Sequence, residues 1–233
     1  MTTPLRAAVL SAILAASLAA YPASMPRTMH VALVGDSLAY GAGDEAGKGI
    51  AGRLEPELRS RGIESIVTTN LGSTGATTRD LAAVLRLRAT RTAIARVDAI
   101  VLSAGANDLR AMLLGREPMR SPLIIADEVL RNMDAIVADI RSLNPNARIL
   151  ILGGYIPIAD DRAPALLEPL VAIWDAALTA QFAGDPLVSI VRLSDIVNRP
   201  DRLSSIDSFH PGGEAYQETA RRIADLLTVR MDR

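Results

Sequence analysis

The chain has 233 residues, enough for one globular domain with a substantial core. Its formal net charge is −1 and only 3% of its residues are aromatic, so it lacks the positive field and the stacking platforms that nucleic-acid binding uses. It contains no cysteine, which excludes disulfides, thiolate metal ligands and cysteine nucleophiles. The composition therefore favours a single domain that does not bind nucleic acid.

The first 28 residues have the pattern of an export signal. Arg6 precedes an uncharged apolar run over residues 7–20, which carries small side chains near its end. The run is shorter than the roughly 20 residues that span a bilayer, so no stable membrane span is expected. A helix packed on the domain is the alternative. We predict a signal or targeting segment over residues 1–28, a folded domain over residues 29–233, and a secreted or periplasmic protein.

Beyond residue 28, short apolar runs alternate with helical patterns. In chain order the pattern predicts strand 30–34, helix 45–62, strand 63–71, a helix from residue 77, strand 98–103, helix 126–143, strand 148–152, helix 163–182, strand 187–193 and helix 213–229. Thr77 and Asp80 have the spacing of a capping box. The irregular stretch 114–123 is a candidate loop over the site. This alternation predicts one three-layer α/β/α domain with a five-stranded parallel sheet, of the flavodoxin-like kind.

Four short polar motifs follow the predicted strands or precede the last helix. They are GDSL at 35–38, NLGSTG at 70–75, GAND at 105–108 and DSFHP at 207–211. In parallel sheets covered by helices, ligands bind beyond the carboxyl ends of the strands. We therefore expect the four motifs to meet at one edge of the sheet.

A serine, a histidine and an aspartate in these motifs are suited to acyl transfer. Ser37 at a helix start needs a base to act as a nucleophile. The chain has two histidines, and strand direction places His30 at the opposite end of the sheet from Ser37, so His210 is the expected base. Asp207 lies three residues before His210, close enough to orient its imidazole. The expected catalytic residues are Ser37, Asp207 and His210.

Acyl transfer also needs donors for the oxyanion that develops in the transition state. The backbone N–H groups of Ser37 and Gly75, with the side-chain amide of Asn107, are the expected oxyanion hole. A glycine suits this place because it lets the backbone approach a ligand closely. Asp36 and Asp108, in the same motifs, are expected to brace their loops behind the reacting groups.

The motifs together resemble the four blocks of the SGNH, or GDSL-type, hydrolases, a family named for Ser, Gly, Asn and His. Ser37, Gly75, Asn107 and His210 match those positions, and Asp207 matches the triad acid of the family. The segment NLGSTGATT resembles the second block, which is commonly written like NASISGDTT, and VLSAGANDL resembles the third. The resemblance spans residues 31–211. It implies a serine esterase that cleaves carboxylic esters or thioesters through an acyl-serine intermediate, without cofactor or metal.

The substrate stays open at this point. The resemblance to the lysophospholipase, thioesterase and arylesterase branch implies a small-molecule or lipid ester, and the apolar residues of segment 109–114 could line an acyl groove or belong to the core. An O-acetylesterase acting on polysaccharide or peptidoglycan is the alternative enzyme. A binding module without catalysis on the same fold is a further alternative. The sequence does not indicate an oligomeric state.

The glycine-rich segment GAGDEAGKG at 41–49 superficially resembles a phosphate-binding loop. Its glycines miss the GxxxxGK[ST] spacing, and Gly49 stands where that motif has a hydroxyl residue. Two separated histidines and no cysteine do not fit a zinc site either. We therefore expect neither a nucleotide nor a metal ion to be part of the chemistry.

Overall fold

The computed structural model describes residues 28–113, 120–157 and 163–229. Its strands are β1 (Thr28–Gly35), β2 (Ser65–Gly72), β3 (Ala99–Ser103), β4 (Arg148–Leu152) and β5 (Val188–Val191). Its α-helices are α1 (Ser37–Tyr40), α2 (Ala51–Arg59), α3 (Thr78–Arg86), α4 (Arg88–Ile94), α5 (Ala106–Leu113), α6 (Pro122–Leu143), α7 (Ala163–Gln181) and α8 (Gly213–Thr228). A 3₁₀ turn covers Pro200–Arg202.

The five strands form one all-parallel sheet in the order β2-β1-β3-β4-β5. This is the flavodoxin-like strand order, so the predicted fold class is confirmed. In the central part of the sheet, Gly35 at the end of β1 pairs with Gly72 of β2 and with Ser103 of β3. The carboxyl ends of these three strands, and the loops that follow them, therefore meet at one edge.

The core lies on both faces of the sheet, as expected for strands covered by helices. Val31 and Leu33 of β1 point to one face, where they pack with α2 and α8. Ala32 and Val34 point to the other face, where they pack with α3, α4, α6 and α7. All four side chains are fully buried. Successive side chains of β1 therefore pack on opposite faces of the sheet, and the strand is buried between two layers of helices.

The predicted helix 45–62 is wrong at its start, because α2 begins only at Ala51. Gly43, Gly47 and Gly49 have φ angles of +84°, +64° and +53°, a left-handed conformation that interrupts a helix. The Asp44 carboxylate accepts hydrogen bonds from the backbone N–H groups of Lys48 and Gly49, both at 2.6 Å. Residues 41–50 are therefore an ordered loop, called here the glycine-rich loop.

Other boundaries differ less. The predicted capping box is confirmed, because Thr77 and Asp80 exchange hydrogen bonds at the start of α3. Helix α6 starts at Pro122, so the end of the predicted loop 114–123 is helical, whereas residues 114–119 lie outside the described residues. Strand β1 begins at Thr28, one residue before the predicted domain start, and the predicted export segment otherwise lies outside the described residues. Among the helices described, none has the length and apolar character needed to cross a membrane.

Candidate active site

Ser37 is the first residue of the short helix α1, directly after the buried strand β1. The preceding Asp36 caps this helix, and its carboxylate accepts a hydrogen bond from the Leu38 N–H at 3.0 Å. Gly35 turns the chain with a φ of +142°, and a Cβ there would lie 2.0 Å from the Ser103 carbonyl oxygen. Only glycine fits at this contact, so the sharp turn that presents the Ser37 hydroxyl depends on Gly35.

Ser103, at the end of β3, holds this turn from behind. Its hydroxyl donates to the Asp36 carboxylate at 2.7 Å and accepts from the Ala39 N–H at 3.2 Å. Asp36 is only 3% exposed, and its burial raises the pKa of the carboxyl above its usual value although these hydrogen bonds oppose the shift. Asp36 therefore joins the end of β3 to the turn that carries Ser37. Nothing in the local sequence marked Ser103.

His210 and Asp207 form a pair within one tight loop. His210 Nδ1 lies 2.6 Å from Asp207 Oδ2, while Asp207 Oδ1 accepts from the backbone N–H groups of Phe209 and His210 at 3.0 and 2.9 Å. Ser208 between them has a φ of +50°, which bends the chain so that the carboxylate reaches back. Partial burial opposes ionisation, but the hydrogen bonds from His210 and the backbone outweigh it and hold the pKa of Asp207 below its usual value.

The loop that carries this pair lies against the loop that follows Ser37. A Cβ at Gly43 would lie 2.5 Å from the Cβ of His210, so the Gly43 backbone packs directly against the His210 side chain. The Ser204 hydroxyl donates to the Gly43 carbonyl at 2.5 Å, and the Ala42 N–H donates to the Ser37 carbonyl at 2.9 Å. In the described parts of the chain, no hydrogen bond joins the Ser37 hydroxyl to the His210 ring. Such bonds are often long before substrate binds, so this arrangement remains compatible with a serine–histidine dyad.

The candidate oxyanion donors Gly75 and Asn107 are neighbours in space. Asn107 lies on the first turn of α5, and its Nδ2 donates to the Ala76 carbonyl at 3.0 Å. An amide carries two N–H donors, so this bond fixes the side chain and leaves the second donor available. Gly75 has a φ of +79°, and a Cβ there would meet nothing within 4 Å. The space that a side chain at residue 75 would occupy is therefore open, one residue before the carbonyl that binds the Asn107 amide.

Asp108 connects α5 to the start of α3. Its two oxygens accept from the N–H of Thr78 at 3.0 Å and from its hydroxyl at 2.6 Å. The same hydroxyl accepts from Asn132 Nδ2 at 2.8 Å. Burial raises the pKa of Asp108 above its usual value, against the effect of the Thr78 hydrogen bonds. These contacts join α5 to Thr78, three residues after Gly75.

Helix α5 also contacts the loop that carries the His–Asp pair. The guanidinium carbon of Arg110 lies 5.9 Å from the centroid of the Phe209 ring, and that ring packs edge-on against the His210 imidazole at 5.0 Å. Arg110 is one turn beyond Asn107, so the helix that carries the oxyanion candidate lies beside the loop that carries His210. The Tyr155 hydroxyl adds a hydrogen bond to the Phe209 carbonyl at 3.1 Å. No motif in the sequence indicated Arg110 or Tyr155.

The apolar segment after the third motif is only partly described. Of the apolar segment 109–114, Leu109 is 38% exposed on α5, whereas the side chains of Met112 and Leu113 and all of Leu114 lie outside the described residues. Within residues 28–113, 120–157 and 163–229, no group of three or more His, Asp and Glu side chains could hold a metal ion.

Known proteins resemble this chain in sequence or in fold. The family model for the GDSL-like lipase/acylhydrolase family matches residues 33–218. The uncharacterized protein YpmR of Bacillus subtilis is 27% identical over 204 residues, covering 83% of this chain and 79% of YpmR. The crystal structure of the lipase Lip_vut3 from a goat rumen metagenome superposes with a TM-score of 0.72 at 18% identity, covering 84% of this chain and 97% of that one. A catalytic mutant of Axe2, an acetylxylan esterase from Geobacillus stearothermophilus, gives a TM-score of 0.61 at 14% identity, covering 88% and 96% of the two chains.

The family match covers most of the chain and includes all four polar motifs. The chain therefore belongs to the GDSL-like lipase/acylhydrolase family, as its sequence motifs predicted, and has the SGNH hydrolase fold. It is a hydrolase that acts on ester bonds.

Proposed function

We propose that the protein is a serine esterase in which Ser37, His210 and Asp207 form the catalytic triad. The observation that carries this proposal is the 2.6 Å contact of His210 with Asp207 in a loop that touches the segment following Ser37. A histidine held in this way has a fixed tautomer and a nearby negative charge to stabilise its protonated form. No cofactor or metal takes part in the proposed chemistry.

In the first half of the reaction, the Ser37 oxygen attacks the ester carbonyl carbon while His210 Nε2 accepts the hydroxyl proton. The carbonyl oxygen becomes an oxyanion, which receives hydrogen bonds from the Ser37 N–H, the Gly75 N–H and the Asn107 amide. The tetrahedral intermediate collapses by breaking the bond to the leaving oxygen or sulfur. His210 returns its proton to that atom, and the acyl group stays on Ser37.

In the second half, water attacks the acyl-serine carbonyl and His210 takes a proton from it. The second tetrahedral intermediate releases a carboxylic acid, and the proton on His210 returns to Ser37. Asp207 keeps its charge throughout, as its lowered pKa allows. The protein groups finish in the state in which they began, so the cycle consumes only ester and water.

A carboxylic ester or thioester of a small molecule or a lipid is the proposed substrate. Support comes from the structural likeness to a lipase and from the exposed Leu109, two residues beyond Asn107. An O-acetylesterase acting on polysaccharide or peptidoglycan is the second candidate, supported by the likeness to an acetylxylan esterase. We further propose that residues 1–28 direct export, so that the enzyme works outside the cytoplasm.

A panel of activated esters with increasing acyl length, together with a thioester and an acetylated sugar, tests both candidates. A lipid-ester or thioesterase function predicts kcat/KM that rises with acyl length, and the O-acetylesterase predicts a maximum at acetyl. Ser37→Ala should abolish turnover of every substrate. Turnover that survives this substitution, or a wild-type protein that is folded and inert on the whole panel, would contradict the proposed function.

A further inference from the structure

The glycine-rich loop, which the proposed reaction does not use, contains a side chain that reaches both flanks of His210. Glu45 Oε1 accepts hydrogen bonds from the Ser205 N–H at 2.9 Å and the Ser205 hydroxyl at 3.1 Å. Glu45 Oε2 accepts from the Gly213 N–H at 2.8 Å. Ser205 lies five residues before His210, and Gly213 lies three residues after it. One carboxylate therefore holds both ends of the segment that presents the histidine.

At Gly213, Glu45 acts as a helix cap supplied by a distant part of the chain. Gly213 begins α8, and the preceding Gly212 has no side chain with which to cap it. A negative charge at a helix N-terminus satisfies an unpaired N–H and interacts favourably with the helix dipole. These hydrogen bonds hold the pKa of Glu45 below its usual value, with the Ser205 N–H as the largest cause. Glu45 therefore stays ionised at neutral pH, as its three acceptor contacts require.

The part of the glycine-rich loop that carries Glu45 is held in place by its own contacts. The neighbouring Asp44 is buried, forms an ion pair with Arg53, and accepts from the N–H groups of Ala46, Lys48 and Gly49. This pairing has defined geometry, because the Arg53 Nη2 also donates to Asp44 Oδ1 at 2.9 Å. Because its loop is fixed, the Glu45 carboxylate can hold the residues that it binds in place, which a carboxylate on a mobile loop could not do.

We propose that Glu45 is a positioning residue for the proposed esterase reaction: it fixes the segment that carries His210 relative to Ser37, so that the imidazole can accept the hydroxyl proton once substrate is bound. The inference rests on the proposed function. The glycine-rich loop starts at the end of α1, which Ser37 begins, and its Glu45 ends on the His210 segment, so it joins the nucleophile and the base. A displacement of about 1 Å between reacting groups costs up to about 10²-fold in rate.

Glu45→Gln tests the proposal, because it keeps the size of the side chain and removes its charge and one acceptor. We expect kcat on an activated ester to fall at least about tenfold while KM changes less than about twofold, since ester binding does not involve Glu45. The proton on His210 Nδ1, shared with Asp207, should give a low-field NMR signal in the wild type that broadens or shifts in the variant. With only two histidines in the chain, this signal can be assigned directly.

Asp98→Asn is the matched control. Asp98 also accepts a backbone hydrogen bond, from the His30 N–H at 2.8 Å, but at the opposite end of the sheet. Its replacement should leave kcat and the His210 signal unchanged. If Glu45→Gln unfolds, Ser205→Ala removes only the hydroxyl contact and should lower kcat by about two- to threefold in the same direction.

The outcomes separate this proposal from the proposed function. A folded Glu45→Gln protein, or Ser205→Ala in its place, that retains wild-type kcat and the wild-type His210 signal overturns the positioning role. A kcat loss equal in Asp98→Asn and Glu45→Gln also overturns it, because the effect would then be general. A wild-type protein that gives the low-field signal but hydrolyses no ester overturns the proposed function. In that case the effect of Glu45→Gln on the His210 signal still tests whether Glu45 positions His210.

Discussion

Replacing Asn107 with alanine is the sharpest test of the proposed oxyanion hole. The Asn107 amide has two N–H donors, of which one is committed to the Ala76 carbonyl at 3.0 Å. The substitution therefore removes two interactions, a ground-state bond to the loop after Gly75 and a donor that engages only the developing oxyanion. The size of the effect depends on which of these dominates.

The loop bond contributes little, because Ala76 is only half-buried and water can replace the lost donor. A neutral hydrogen bond of this kind contributes about 1 kcal/mol to stability. Loss of one oxyanion donor costs about 10²–10³ in kcat, or roughly 3–4 kcal/mol in the activation barrier. We therefore expect Asn107→Ala to lower kcat by about 10²–10³-fold and to change KM by less than about threefold, because the donor acts on the transition state.

Steady-state kinetics on an activated ester, with thermal unfolding in parallel, measures both quantities. Asn132→Ala is the matched control. Asn132 also donates a hydrogen bond from its side-chain amide, to the Thr78 hydroxyl, but it is not one of the proposed oxyanion donors. It should lose less than about threefold in kcat. Asn107→Asp should be worse than alanine, because its carboxylate would repel both the oxyanion and the Ala76 carbonyl. If Asn107→Ala keeps more than a tenth of its kcat, Asn107 is not an oxyanion donor.

Three further predictions follow from the structure and the sequence. A fluorophosphonate probe should label Ser37 covalently, as peptide mass spectrometry would show, and labelling of another serine would refute the nucleophile. Burial opposes ionisation of Asp44, but the Arg53 ion pair and three backbone N–H groups outweigh it and hold the pKa of Asp44 at about 2 instead of 3.8. Asp44 should therefore contribute about 2 kcal/mol to stability above pH 4 and lose it as the pH falls through 2. Urea unfolding of Asp44→Asn and wild type should converge in acid, and a constant difference would contradict the lowered pKa. N-terminal sequencing of exported protein should find residues 1 to about 20 removed, whereas a retained Met1 on active exported protein would refute cleavage.

The fold was predictable because its signals are local and redundant. Each strand is a short apolar or β-branched run, and the continuous apolar run of β1 is typical of a parallel strand buried between two helical layers. The start of α3 was also readable, since Thr77 and Asp80 form a capping box within three residues. The start of α2 was not, because apolar spacing continued backwards through glycines whose left-handed φ angles are a property of the folded loop.

In the site, contacts between residues of one short motif could be predicted from the sequence. Asp207 and His210 lie three residues apart, so their contact follows from local geometry. The contacts that bring separate motifs together were not visible, because they join residues far apart in the chain: Ser103 to Asp36 across 67 positions, and Glu45 to Ser205 across 160. A single sequence carries no pairing information at such separations. The glycine-rich loop was noticed for its composition, but its contact with the His210 segment required the structure.

Two carboxylates lie near His210, and their different burial suits them to different roles. Asp36 is close enough for the His210 charge to affect its pKa, but it is nearly inaccessible, and its Oδ1 accepts hydrogen bonds from the Ser103 hydroxyl and the Leu38 N–H. Burial favours its neutral form, so it is poorly suited to stabilise an imidazolium. Asp207 is more exposed and receives the imidazole and two backbone N–H groups, all of which favour its charged form. The GDS motif thus combines a candidate nucleophile with a structural brace, whereas the DSFH motif combines a candidate base with the charge that supports it.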